Sequence, residues 1–190
     1  MKKLLLALVL LLVLPASAMA AWGKPDPEII NIPNEEQETN FWCWPALIRQ
    51  IINWRGLGEA PSQCELVNTA NAYKGSTTVN CCQEPDNAAC SRLGDENELK
   101  NLVSLYGGQI TDVPVPTTPE EIYDYLMSKK VLLMQVQFTG TNQDHLYMIR
   151  GISWEGDEAM LVLNDPAVSQ TQTVKFSEFQ KTWMRAFTAE

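Results

Sequence analysis

Apolar positions keep a helical spacing through the first half of this chain and a strand-like one through the second. Trp44, Leu47, Ile48, Ile51 and Ile52 fall three and four residues apart, the repeat of an α-helix with one buried face, and the pattern stops near Gly56 and Gly58. Pro45 is compatible with that helix because it lies in the first turn, where a missing N–H breaks no bond. A second helix is expected from Ser62-Gln63-Cys64-Glu65, whose serine and glutamate have the spacing of a capping box. A third is expected from about Asp95 to Tyr106, ending at Gly107-Gly108, and a fourth from Thr118-Pro119-Glu120-Glu121 through about Met127. Upstream, residues 21–34 hold Pro25, Pro27 and Pro33 among few periodic apolar positions and read as an extended lead-in.

The runs Val131 to Phe138, His145 to Ile152, Ala159 to Asp165 and Thr171 to Phe176 are strand-like and are separated by Gly, Asn and Asp, which predicts an antiparallel sheet. Ser177-Glu178-Phe179-Gln180 opens a short helix through Trp183, and Met184 to Thr188 adds a last strand. Helices first and sheet second is an α+β layout. One domain over residues 21–190 is expected, with a helical part at about 35–115, a sheet part at about 116–190 and the joint near Pro114 to Pro119. The chain has 190 residues, 45% of them hydrophobic, which suffices for one sizeable core and excludes disorder.

Residues 1–20 have a different pattern. Lys2-Lys3 precede an apolar stretch from Leu4 to Leu14, then Pro15 and the small-residue ending Ala18-Met19-Ala20, which is the form of a secretory signal cleaved near Ala20. The stretch is short for a membrane span and no later one approaches the roughly 20 apolar residues needed, so a secreted or periplasmic protein with no membrane partner is expected. Cleavage removes Lys2 and Lys3, leaving 12 basic against 23 acidic residues and a formal charge of -11. Such a balance repels phosphate backbones, and no nucleic-acid partner is expected.

The cysteines limit the chemistry further. Cys43, Cys64, Cys81, Cys82 and Cys90 all follow the signal, in a compartment where disulfides persist, and five is odd. Four cluster within 27 residues of loop-like sequence, while Cys43 stands apart as the candidate free thiol. Adjacent cysteines rarely bond each other, which leaves Cys64 to Cys81 with Cys82 to Cys90, or Cys64 to Cys82 with Cys81 to Cys90. No CxxC pair is present, so no metal is expected. Cys43 sits where a helix begins, and the positive end of the helix dipole favours a thiolate there. A thiolate nucleophile needs an imidazole partner, and the chain has a single histidine, His145. If the hairpin after His145 turns at Glu155 to Asp157, antiparallel pairing brings His145 opposite Asp165 or a near neighbour. That carboxylate would orient the imidazole, with Asn164 as the alternative if the register slips by one. The oxyanion of an acyl-transfer intermediate needs donors, which the Cys43 backbone N–H and the Gln37 side chain supply in this reading. Trp42 and Trp44 flank the cysteine and are expected either to wall a groove or to pack in the core.

The set Gln37, Cys43-Trp44, His145 and Asn164-Asp165-Pro166, in that order, resembles the papain-like cysteine peptidases. The similarity is to the bacterial branch: bacteriocin-leader-processing peptidase domains and secreted effector proteases. It spans Gln37 to Trp183 and implies a papain-like α+β fold in which the nucleophile helix packs on the C-terminal antiparallel sheet. It further implies Cys43 as nucleophile, His145 as general acid/base, Asp165 as orienting residue and Gln37 as oxyanion donor. A monomer acting on peptide or protein substrates without a cofactor follows from it. Two alternatives share these residues: a peptidoglycan amidase or endopeptidase, and an inactive papain-like module that only binds.

Overall fold

The computed structural model describes residues 24–76, 78–137 and 144–190. The expected signal segment and Phe138 lie outside them. The four expected helices form as α1 (Cys43–Arg55), α2 (Gln63–Tyr73), α3 (Glu96–Leu105) and α4 (Pro119–Met127). The capping boxes at Ser62/Glu65 and Thr118/Glu121 are made, and a third, Asp95/Glu98, starts α3. Each satisfies N–H groups that a helix start otherwise leaves without partners. Gly56, in the left-handed region at φ 63°, stops α1.

The sheet holds β1 (Glu28–Ile29), β2 (Ile110–Val113), β3 (Val131–Gln137), β4 (Asp144–Glu155), β5 (Glu158–Asn164), β6 (Gln172–Lys175) and β7 (Trp183–Ala189). Its order is β2-β7-β3-β4-β5-β6, with every pair antiparallel. β1 joins β4 at Ile152 and Gly151, just past Ile149, where β3 stops. β1 and β2 were not expected, and they interrupt the helices-first order. Two and four residues are too short to show a period of two, and each exists through a partner: β1 on β4, and β2 on β7 from Ile110↔Ala189 to Val113↔Ala186. The C-terminal helix is also shorter than expected. It comprises α5 (Phe176–Phe179) and a 3-10 turn over Gln180–Thr182, because Trp183 is drawn into β7 opposite Val136.

Helix α1 lies against β4, α2 and α3, with Trp44, Ile48, Ile51 and Ile52 wholly buried. Full burial contributes about 1.5–3 kcal/mol for each such aliphatic side chain, so α1 is anchored by packing rather than by caps. The disulfides follow the second of the two pairings: Cys64–Cys82 ties a loop to α2, and Cys81–Cys90 closes that loop on itself. Cys43 is the free thiol.

Candidate active site

The helix that begins with Cys43 has an unusual start. Its N-cap residue, Trp42, makes no side-chain capping bond and its first turn holds no acidic residue, whereas α2, α3 and α4 are each closed by a capping box. The N–H donors and positive dipole end of α1 are thus left for whatever forms at the sulfur. Indoles take over the fixing. Trp42 Nε1 donates to the Cys90 carbonyl at 2.9 Å, and Trp44 Nε1 donates to the Arg92 carbonyl at 3.2 Å. Trp42 therefore holds the end of the disulfide-closed loop, and Trp44 the segment that follows it. Gly94 continues this contact: a Cβ there would lie 2.5 Å from Trp44 Cδ2, so only glycine lets the loop approach the ring.

His145 is the second residue of β4, opposite Val136 of β3. Its Nε2 is 2.8 Å from Asp165 Oδ1, and its side chain also hydrogen-bonds the Cys43 thiol. With Nε2 engaged by the carboxylate, Nδ1 is the nitrogen left for the sulfur. Burial pulls the imidazole pKa down, but the Asp165 carboxylate and the Cys43 sulfur outweigh it and raise it to about 9. Asp165 Oδ1 also accepts the Ala167 N–H at 2.8 Å, which fixes the carboxylate's orientation. Tyr147 stands edge-on to the imidazole with ring centroids 4.7 Å apart, and Phe179 stands edge-on to Tyr147. Tyr147 was not singled out from sequence because it reads as one more apolar strand position.

The choice between Asn164 and Asp165 is made by a bulge. From the Gly156-Asp157 turn, pairing runs Glu155↔Glu158 to Gly151↔Val162, then shifts by one between Ile149 and Gly151 to give Met148↔Asn164. Continuing that register sets Asp165 beside Tyr147, diagonal to His145 and on its side of the sheet. Asn164 points elsewhere. Its Nδ2 donates to the Ile32 carbonyl at 3.0 Å and to Gln50 Oε1 at 2.8 Å, while its Oδ1 accepts from Arg150 Nε at 2.9 Å and from the Thr171 hydroxyl at 3.2 Å.

Gln37 lies on the loop leading into α1 and is sewn to the same strand end. Its backbone N–H donates to the Pro166 carbonyl at 2.7 Å, and Asn34 Nδ2 donates to the Asp165 carbonyl at 2.9 Å. One hydrogen of Gln37 Nε2 is taken by the Thr39 carbonyl at 2.8 Å, leaving the other as a donor. The fold brings Cys43, His145 and Asp165 into one hydrogen-bonded chain and ties the Gln37 loop to its far end. Among the described residues no three His, Cys, Asp or Glu side chains are grouped to hold a metal ion.

A cavity of about 280 Å³ opens beside Cys43 and His145. Leu99, Leu146 and Phe187 give it an apolar floor, and Gln135, Asp144 and Arg185 line it as well. Sequence reasoning left out Leu99, Gln135, Leu146, Arg185 and Phe187, which helix α3 and the pairing of β3, β4 and β7 bring together.

A sulfur at a helix start, facing an imidazole and a carboxylate from an antiparallel sheet, defines the class of papain-like cysteine peptidases. Residues 29–188 match the model of the Peptidase_C39 like family, and the chain belongs to that family; it is a cysteine peptidase. Solved structures agree in fold. The peptidase domain of Streptococcus ComA, a bi-functional ABC transporter involved in a quorum-sensing pathway, aligns with a TM-score of 0.56 at 16% identity, covering 83% of this chain and 96% of that one. A C39-like peptidase structure from Bacillus anthracis gives 0.57 at 12% identity over 87% and 98% of the two chains. A double glycine motif protease from an AMS/PCAT transporter, in complex with its leader peptide, gives 0.50 at 14% over 84% and 91%. No curated protein sequence matches the chain.

Proposed function

We propose that this protein is an exported cysteine peptidase that hydrolyses peptide bonds through a thioester on Cys43. The observation that carries the reading is the continuous chain from the Cys43 sulfur through His145 to the Asp165 carboxylate, at a helix end left without a cap. His145 takes the thiol proton, and the resulting thiolate attacks the substrate carbonyl. The oxyanion so formed is met by the Cys43 N–H and the remaining Gln37 amide hydrogen. Collapse of the intermediate expels the amine, which receives the proton from the His145 imidazolium. A water then gives a proton to His145 and cleaves the thioester, and the sulfur leaves as thiolate. Asp165 holds the ring in the orientation that each transfer needs.

The Lys2-Lys3 and Leu4 to Leu14 pattern with its Ala18-Met19-Ala20 ending supports export, as do two disulfides in a chain that also needs a free thiol. A peptide lying across the cleft accords with the leader-peptide complex of the structural neighbour. The test is direct. Cys43→Ala is expected to fold with both disulfides intact and to lose hydrolysis of a peptide library, while an epoxide thiol-protease inhibitor labels Cys43 of the native protein and nothing else by mass spectrometry. Retained turnover in Cys43→Ala would remove the proposal.

A further inference from the structure

The cavity beside Cys43 carries its charges unevenly. Glu96 is ion-paired with Lys100 and with Arg185, which hold its carboxyl down to about 2. Asp95 is ion-paired with Lys74 at 2.8 Å. Arg185 is held by Glu96 and by Asp112 at 3.1 Å, and its guanidinium lies 5.0 Å from the centre of the Phe187 ring. Each of these charges already has a counter-charge. Asp144 is the exception among the described lining residues outside the catalytic chain: Gln135 Nε2 donates to its Oδ2 at 2.9 Å, and no cation pairs with it.

Asp144 is half-buried, directly precedes His145, and lines the cavity together with Leu99, Leu146 and Phe187. A carboxylate whose hydrogen-bond partner among the described residues is a neutral amide, in a cavity with apolar walls, suits a side chain with an apolar stem and a cationic end. The neighbouring imidazolium does not cancel it. When His145 holds the Cys43 proton, thiolate, imidazolium and Asp165 carboxylate together carry one net negative charge. We infer, on the basis of the peptidase reading above, that this cavity selects peptides with a lysine or arginine beside the scissile bond, and that Asp144 is the residue that reads the charge. The excess of 23 acidic over the 12 basic residues left after signal cleavage draws such peptides toward the enzyme.

The experiment uses internally quenched octapeptides that differ at one position by lysine or its uncharged isostere norleucine, and reads the ratio of their kcat/KM values. At one position the native enzyme is expected to favour lysine by about tenfold, the scale of one charge-assisted hydrogen bond, and to lose part of that preference at high salt. Asp144→Asn is expected to bring the ratio to about one, Asp144→Glu to retain most of it, and Asp144→Lys to favour glutamate over glutamine. Because each ratio is internal to one enzyme, it is independent of how much of a variant folds. Hydrolysis of both peptides with no lysine preference at any position, or an undiminished preference in Asp144→Asn, overturns the inference and leaves the peptidase intact. Failure of the native enzyme to cut any peptide overturns the peptidase reading and this inference with it.

Discussion

An imidazole packed against Cys43 and Tyr147 would ordinarily lose its proton, because burial disfavours the charged form. At His145 the Asp165 and Cys43 contacts reverse that effect and raise the pKa from 6.5 to about 9. In the proposed mechanism, the acid that protonates the departing amine is therefore present through neutral pH. The alkaline limb of kcat/KM is expected near pH 9. Asp165→Asn removes the strongest of the raising contacts, so the limb should move to lower pH as the rate falls, measured across pH 5 to about 10. A limb that stays in place would show that Asp165 does not set the proton affinity of the pair. Stability follows the same sign. A group whose folded pKa is raised contributes in full below the unfolded value of 6.5 and loses that contribution as pH rises through about 9.

At the scale of elements, one asparagine joins four segments. Asn164 connects the lead-in at Ile32, α1 at Gln50, β4 at Arg150 and the segment before β6 at Thr171, so its loss leaves several buried polar groups without partners. Asn164→Ala is expected to destabilise the protein by about 2–3 kcal/mol while its folded fraction keeps most of its activity. Asp165→Asn should do the reverse, losing activity with little change in Tm measured above about pH 9, where the raised His145 pKa no longer contributes to stability. Thermal denaturation paired with active-site titration separates the two, and equal effects on both readouts would refute the division of labour. The sequence carried much of this. Helices α1 to α4 were readable from the 3.6-residue spacing, Gly56 and the Ser62 and Thr118 boxes, because caps and periodicity are local. Strands β1 and β2 were not, since their stability is borrowed from β4 and β7. The cysteine and histidine stood out through parity and scarcity. Their carboxylate partner did not separate from Asn164, because a one-residue shift between Ile149 and Gly151 decides which side of the sheet each occupies. The visible trace of that shift is Gly151, a glycine inside an apolar strand run, where an added Cβ would sit 3.0 Å from Ile29.

For the molecule as a whole, Cys43, the proposed nucleophile, must stay reduced while four other cysteines stay oxidised, and the two disulfides are not equivalent. Cys81–Cys90 closes the loop whose last carbonyl, at Cys90, receives the Trp42 indole, and whose continuation offers the Arg92 carbonyl to Trp44 and lines the cleft at Gly94. Asn71 Nδ2 donates to the Ala89 carbonyl at 3.1 Å, and Arg92 pairs with the buried Glu98 at the start of α3, so the loop is braced against both helices. Cys64–Cys82 joins α2 to the other side of that loop, and neither cysteine lines the cleft. Each bond is worth about 2–3 kcal/mol through the unfolded state, given separations of 9 and 18 residues. Removing either pair, as Cys81→Ala with Cys90→Ala or as Cys64→Ala with Cys82→Ala, is therefore expected to lower the Tm by comparable amounts. Activity should divide them. The first double variant loses the wall beside Trp44, so its kcat/KM should fall by about tenfold or more at a temperature where both variants are folded, while the second retains most of its rate. Equal losses of rate would mean that the loop acts on stability alone, and that α1 holds Cys43 in place without support from it.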